Sequence, residues 1–185
     1  MNLLDTRIRI AGLVHDSIVD GPGIRCTIFC QGCAHKCHGC HNPQTHSFSG
    51  GAEYTVAQLL SFVQKNPLCK GVTFSGGDPM YQPHGFAVFA QKLKALHYEV
   101  ACYTGFVWEE LMQDTSDEGT VRRRLLQYTD ILIDGPFVLA QKNLGLRFRG
   151  SANQRIIDVQ ASLAQKESTG DISPVLCKQK RWTGE

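Results

Sequence analysis

The chain has 185 residues, 42% of them hydrophobic and 19% charged, and its 19 basic against 17 acidic side chains leave a net charge of +2. The size suits one domain, the near-neutral charge argues against a nucleic-acid binder held by a broad basic field, and no apolar run approaches the roughly 18 residues of a membrane span. Residues 1–7 lack the basic start and apolar core of a signal peptide, so the expectation is a cytoplasmic protein whose eight cysteines are thiols or metal ligands, with disulfides the minor reading.

Short β-branched or aromatic runs alternate with longer helical patterns, the signature of strand-helix units around a mostly parallel sheet. Residues 7–14 and 24–30 read as strands, 55–64 as an amphipathic helix and 71–74 as a strand. Residues 86–96 read as a second helix, led in by the Gln82-Pro83-His84-Gly85 turn, since proline in a first turn loses no needed hydrogen bond. A strand at 99–103, a helix at 121–128 and strands at 130–133 and 155–159 follow. The Arg122-Arg123-Arg124 triplet reads as a solvated helix face. Beyond Ser162 the pattern decays, and residues 166–185 read as a loose polar tail behind a domain of residues 1–165. Three helices against six strands are too few for a closed eight-unit barrel, so the expected class is α/β, an open or partial barrel.

Cys33, Cys37 and Cys40 are spaced C-x3-C-x2-C. Positions i, i+4 and i+7 share one helix face, so the three could be core residues; Gly32, Gly39 and Pro43 and the polar residues between them oppose that helix. An odd trio cannot pair internally as disulfides. A structural zinc site completed by His35, His38 or His41 stays open on spacing alone. Three thiolates from one glycine-containing loop also suit three corners of an iron-sulfur cubane, with the fourth iron left free of protein. Alternation places Cys26 and Cys30 on one strand face with Ile24 and Ile28, as small core residues. Cys69, Cys102 and Cys177 read as ordinary reduced thiols.

Ser17-Ile18-Val19-Asp20-Gly21-Pro22-Gly23-Ile24-Arg25, followed by the cysteine loop, resembles the radical S-adenosylmethionine (SAM) enzymes, specifically the small activases that install glycyl radicals. Ser75-Gly76-Gly77-Asp78-Pro79, after a predicted strand, resembles that family's glycine-rich segment. Within the group the resemblance is nearest to the activases of anaerobic, class III ribonucleotide reductase. It rests on Cys37-His38-Gly39-Cys40, Ile133-Asp134-Gly135-Pro136-Phe137 and the stretch from Arg147-Phe148-Arg149-Gly150 to Arg155, and it covers about residues 6–160. Gly39 stands where pyruvate formate-lyase activases typically have an aromatic residue. His41 stands where tyrosine is frequent in related activases, which leaves the adenine contact to an imidazole ring or to another residue.

The resemblance implies a [4Fe-4S] cluster held by Cys33, Cys37 and Cys40, with SAM on the open iron. It also implies cofactor contacts at Gly39, Cys40, His41, Gly76, Gly77 and Asp78, the last three cradling the SAM amino group. The implied reaction is reductive cleavage of SAM and hydrogen-atom abstraction from a glycine in the large subunit of anaerobic ribonucleotide reductase. A flavodoxin-type electron donor is the implied reductant, and no catalytic Ser, His or carboxylate is expected, because the cofactors carry the chemistry. Arg147 and Arg149 read either as exposed charges or as contacts to the partner or the SAM carboxylate, and Asp134-Gly135-Pro136 as a turn or a cofactor-facing strand end. The alternatives are pyruvate formate-lyase activation, another small radical SAM reaction such as deazapurine synthesis, and a zinc-binding structural module.

Overall fold

Residues 2–184 are described by a computed structural model. In chain order its elements are β1 (Arg7–Ser17), β2 (Arg25–Cys30), β3 (Ala52–Thr55), α1 (Val56–Gln64), β4 (Gly71–Gly76), α2 (Pro83–Ala95), β5 (Glu99–Tyr103), α3 (Trp108–Gln113), α4 (Asp117–Gln127), β6 (Ile131–Asp134), β7 (Arg155–Asp158), α5 (Val159–Thr169) and α6 (Lys180–Thr183). One seven-stranded sheet runs in the order β3-β1-β2-β4-β5-β6-β7. The four central strands are mutually parallel, while β1 and β3 on one side and β7 on the other add antiparallel flanks. The sheet does not close, which is the open α/β architecture expected.

The central strands are covered on both faces and therefore lose the alternation of a half-exposed strand. All of β6, and all of β2 except Phe29, is buried. Helix α2 supplies much of one cover: Phe86, Phe89 and Leu93 are fully buried, and Phe74 of β4 meets Phe86 and Phe89 with ring centroids 4.9 and 5.5 Å away. Helix α1 starts at a reciprocal capping box, in which Thr55 Oγ1 accepts from Gln58 N at 3.2 Å and Gln58 Oε1 accepts from Thr55 N at 2.8 Å. Pro83 opens α2, where its missing N–H costs nothing.

Four features depart from the sequence reading. Strand β3 was not anticipated; its four residues bury no side chain fully and are held as a partner of Arg7 to Ile10, with Glu53 pairing Arg7 and Arg9. Helix α3 is too short, at six residues, to show a helical period. The supposed loose tail is folded. Asp158 caps α5, Gly170 ends it at φ +74°, Leu176 bridges to Ile157, and Cys177 and Trp182 are buried. A single tryptophan in a polar stretch has no periodicity to betray it. Finally, Arg122 is no solvated charge. Its side chain is 11% exposed, its guanidinium lies 4.6 Å from the Phe106 ring centroid, and it bonds Met80 O, Asp114 and Glu118. Arg124 alone of the triplet is exposed.

At the amino end of the parallel strands, Arg25 is 1% exposed. It donates to Thr73 Oγ1 at 2.7 Å, Val72 O at 3.1 Å and Glu99 Oε1 at 2.7 Å, so that one guanidinium joins β2, β4 and β5. Removing one partner of a buried ion pair costs about 3–5 kcal/mol when the other is stranded; Glu99, which also pairs with Arg181, is only partly stranded, so that figure is the upper end here. Arg25→Met is therefore expected to lower the free energy of unfolding, read as the urea midpoint multiplied by an unchanged denaturant slope, by up to that amount, and Arg25→Lys to recover only part of the loss.

Candidate active site

The carboxyl ends of β2, β4, β5 and β6 meet in a cavity of about 670 Å³, the position at which open α/β sheets place their ligands. Cys33, Cys37 and Cys40 all line it, together with Gly76, Gly77 and Asp78 after β4, Thr104 and Gly105 after β5, and Gly135 after β6. The two motifs singled out in the sequence thus converge on one space, although some forty residues separate them.

The cysteine loop leaves β2 and is stapled at its base. Gly32 N donates to Thr45 O at 2.8 Å and Cys33 N to His46 O at 3.2 Å. Within it, Lys36 (φ +49°) and Gly39 (φ +74°) take left-handed conformations, and Cys40 Sγ accepts from Asn42 N at 3.4 Å. The three cysteines are half-buried and unpaired. Burial pushes the Cys33 thiol up to about 11; the Asp78 charge and the Cys37 and Cys40 thiols add to that, and a hydrogen bond from the His35 backbone opposes it. Among the described residues no three His, Cys, Asp or Glu side chains close around one point as a single-ion site does. A cubane asks for something else, since its protein thiolates end on different irons. Three thiols of one short loop facing one cavity fit that donor set.

Gly76 and Gly77 are required by close approach. A Cβ on Gly76 would lie 2.7 Å from the Cys30 nitrogen, and one on Gly77 would lie 2.5 Å from Gly32 O. Gly77 N donates to Cys30 O at 2.7 Å and Asp78 N to Gly32 O at 2.9 Å, so the turn is bonded directly to the root of the cysteine loop. Asp78, anticipated as a cofactor contact, is 1% exposed and committed internally. Its Oδ1 accepts from Met80 N at 2.9 Å; its Oδ2 accepts from Thr104 Oγ1 and Gly105 N, each at 2.9 Å, and pairs with His35 Nε2 at 2.8 Å. The His35 ring, edge-on to Phe106 and close over Gly105, carries that tie into the cysteine loop.

His41 lies on the cavity wall beside Phe137, with ring centroids 4.9 Å apart, and Gly39 packs against Leu139 and Phe137. Phe137 is the aromatic surface that the sequence reading quoted without assigning a role; its signal is its place just after the strand end Asp134-Gly135-Pro136. Asp134 itself is fully buried away from that role, accepting from Trp108 N at 2.8 Å and pairing with Arg155. Arg149 lines the cavity, donates to Gln154 O at 3.1 Å and keeps a buried Nε without a hydrogen bond. Arg147 is exposed and faces a neighbouring cleft with Ile18, Gly21 and Arg181. Cys26, Cys30, Cys69, Cys102 and Cys177 are all free and buried, and Cys26 and Cys69 are hydrogen-bonded neighbours despite their distance in sequence. No helix among the described residues is long and apolar enough to cross a membrane.

Residues 19–157 match the family described as a 4Fe-4S single cluster domain. The chain is 39% identical to the anaerobic ribonucleoside-triphosphate reductase-activating protein of Vibrio cholerae, in an alignment covering 75% of this chain and 90% of that one. It is 38% identical to the protein of the same name from Pasteurella multocida, with the same coverage, and 31% identical to that of Escherichia coli K12, over 74% of this chain and 90% of that one. Among solved structures, QueE from Escherichia coli is similar with a TM-score of 0.46 at 15% identity, over 54% of this chain and 53% of that one. With a 4Fe-4S single cluster domain across most of its length and relatives of one name aligned over three quarters of it, the chain belongs to the family of anaerobic ribonucleoside-triphosphate reductase-activating proteins.

Proposed function

We propose that the chain activates the large subunit of an anaerobic ribonucleotide reductase as a radical SAM enzyme, in the cytoplasm, with electrons from a flavodoxin-type donor. The observation that carries this reading is the convergence of Cys33, Cys37 and Cys40 with the Gly76-Gly77 turn on one cavity at the carboxyl ends of the parallel strands. Cys33, Cys37 and Cys40 would hold a [4Fe-4S] cluster, which when bound to SAM supplies one-electron cleavage of the sulfonium and so a radical able to take a hydrogen atom from a glycine of the reductase.

The chain's own residues bind and exclude. The N–H groups of Gly77 and Asp78 are spent on Cys30 O and Gly32 O, so the turn offers a ligand carbonyl oxygens, which suit a positively charged amino group. Arg149 lines the cavity, and its guanidinium charge suits a carboxylate there. His41 and Phe137 present a ring surface against which a planar base can pack. Asp78 positions the loop and touches the cofactor only as part of the cavity wall.

The decisive experiment is anaerobic reconstitution with iron and sulfide, addition of SAM, a strong reductant and a candidate reductase, and electron paramagnetic resonance. A glycyl radical signal on the reductase is expected; its absence with a fully loaded chain sinks the reading. Replacing Cys33, Cys37 or Cys40 singly by alanine should abolish the brown chromophore and the signal, whereas Cys177→Ala should leave both. A colourless wild-type chain with stoichiometric zinc after anaerobic reconstitution would instead favour a structural metal site. Because ligands bind as thiolates and Cys33 is held protonated up to about 11, loading releases a proton there. Reconstitution, followed by absorbance, should therefore quicken between about pH 7 and about pH 9. Gly77→Ala forces a methyl against Gly32 O and should lower bound iron severalfold by displacing the loop root.

A further inference from the structure

We infer that Trp182 is a positioning residue for the active-site wall: it props Phe148, and through it the cavity-lining residues Arg149 and Gly150, from a C-terminal segment outside the family match. The inference rests on the reading of this cavity as a SAM site, and it concerns a part of the chain beyond residue 157, where that match ends.

Phe148, Arg149 and Gly150 all line the cavity. Phe148 does so with φ +52°, a left-handed backbone that a bulky aromatic residue adopts only when its surroundings enforce it. Two contacts do the enforcing. Tyr103 Oη donates to Phe148 O at 2.9 Å, and the Trp182 ring stands edge-on to the Phe148 ring with centroids 5.4 Å apart.

Trp182 is in turn immobilised from below. It is fully buried, and the Arg25 guanidinium lies 5.2 Å from its ring centroid. Gly21 admits it, since a Cβ there would come within 2.9 Å of the indole. Its neighbour Arg181 bonds Glu99, the same carboxylate that holds Arg25. Contacts therefore run without a break from the base of the sheet through Arg25 and Trp182 to the wall of the cavity. The indole Nε1 is buried without a hydrogen bond, so the residue acts through the shape of its rings, and phenylalanine can replace it without losing a polar partner.

The test compares the full-length wild type with Trp182→Ala, Trp182→Leu and Trp182→Phe. Hydrogen exchange of the cofactor-free chains should show residues 146–150 exchanging about tenfold faster in Trp182→Ala, with residues 33–40 and 75–78 unchanged and Trp182→Phe close to wild type. After reconstitution, the Kd for SAM should rise about tenfold in Trp182→Ala at unchanged iron content, with Trp182→Phe restoring most of it. Where Trp182→Ala does not fold, Trp182→Leu, which keeps apolar bulk without an aromatic edge, decides on the same two readouts. Wild-type exchange at 146–150 together with a wild-type Kd overturns the inference, as does a loss of protection spread evenly over all three segments. A loaded wild type that fails to bind SAM overturns the proposed cofactor instead, and the exchange result still decides whether Trp182 props the wall.

Discussion

One buried carboxylate ties the site together. Asp78 has almost no contact with water and collects four donors, from the turn after β4, from the end of β5 and from the cysteine loop. Taking a carboxylate out of water is costly unless its lone pairs are filled, and here they are filled by groups that would otherwise be free to drift apart. The order of the loop that carries the three thiols is thus purchased at a residue that is not a ligand. His35 is the other half of that tie, since its place between Cys33 and Cys37 transmits the position of Asp78 to both.

Arg25 performs the complementary task at the opposite end of the strands. Where Asp78 gathers donors from loops, Arg25 distributes donors to β2's neighbours and to Glu99, setting the register of the parallel centre. The sheet is thereby pinned by opposite charges at its two ends, and the glycine pair Gly76-Gly77 closes the remaining distance by letting β4 touch the root of the cysteine loop. Both charged residues sit in motifs on which the family resemblance rests. The Arg25 side chain is turned into the protein, and the Asp78 carboxylate, at the cavity wall, is bonded to the protein's own donors, so the charged members of a motif can serve the scaffold around a site.

Much of this was legible in the residues. The cysteine spacing and the glycine turn announced a shared site, and period-two and period-four patterns located six strands and three helices close to where they lie. What escaped had a physical reason each time. Strand β3 is defined by its partner β1 and not by its own pattern. Helix α3 is shorter than two turns, and the buried Trp182 is a single apolar residue among polar ones. Arg122 was misjudged because an ionic residue defaults to the surface when only its type is known, and its partners Asp114, Glu118 and Phe106 are contributed by tertiary structure; the pairing of Asp134 with Arg155, which its motif left open, is likewise tertiary. Phe137 required knowledge that β6 ends beside the cysteine loop.

The unclosed sheet has a topological consequence. A residue inside a polypeptide substrate, unlike a small molecule, has two continuations of chain that must both leave the reaction chamber. A sealed eight-stranded ring offers one mouth, through which such a segment has to double back on itself. Here the sheet ends at β3 on one side and, on the other, at β7, whose outer edge is bonded by residues 175–177, and the ring stays interrupted between them, so under the proposed function a partner segment anchored at both ends can be laid across the gap without being threaded. If the chain acts on a glycine of the reductase, as proposed above, the missing strands amount to an entrance.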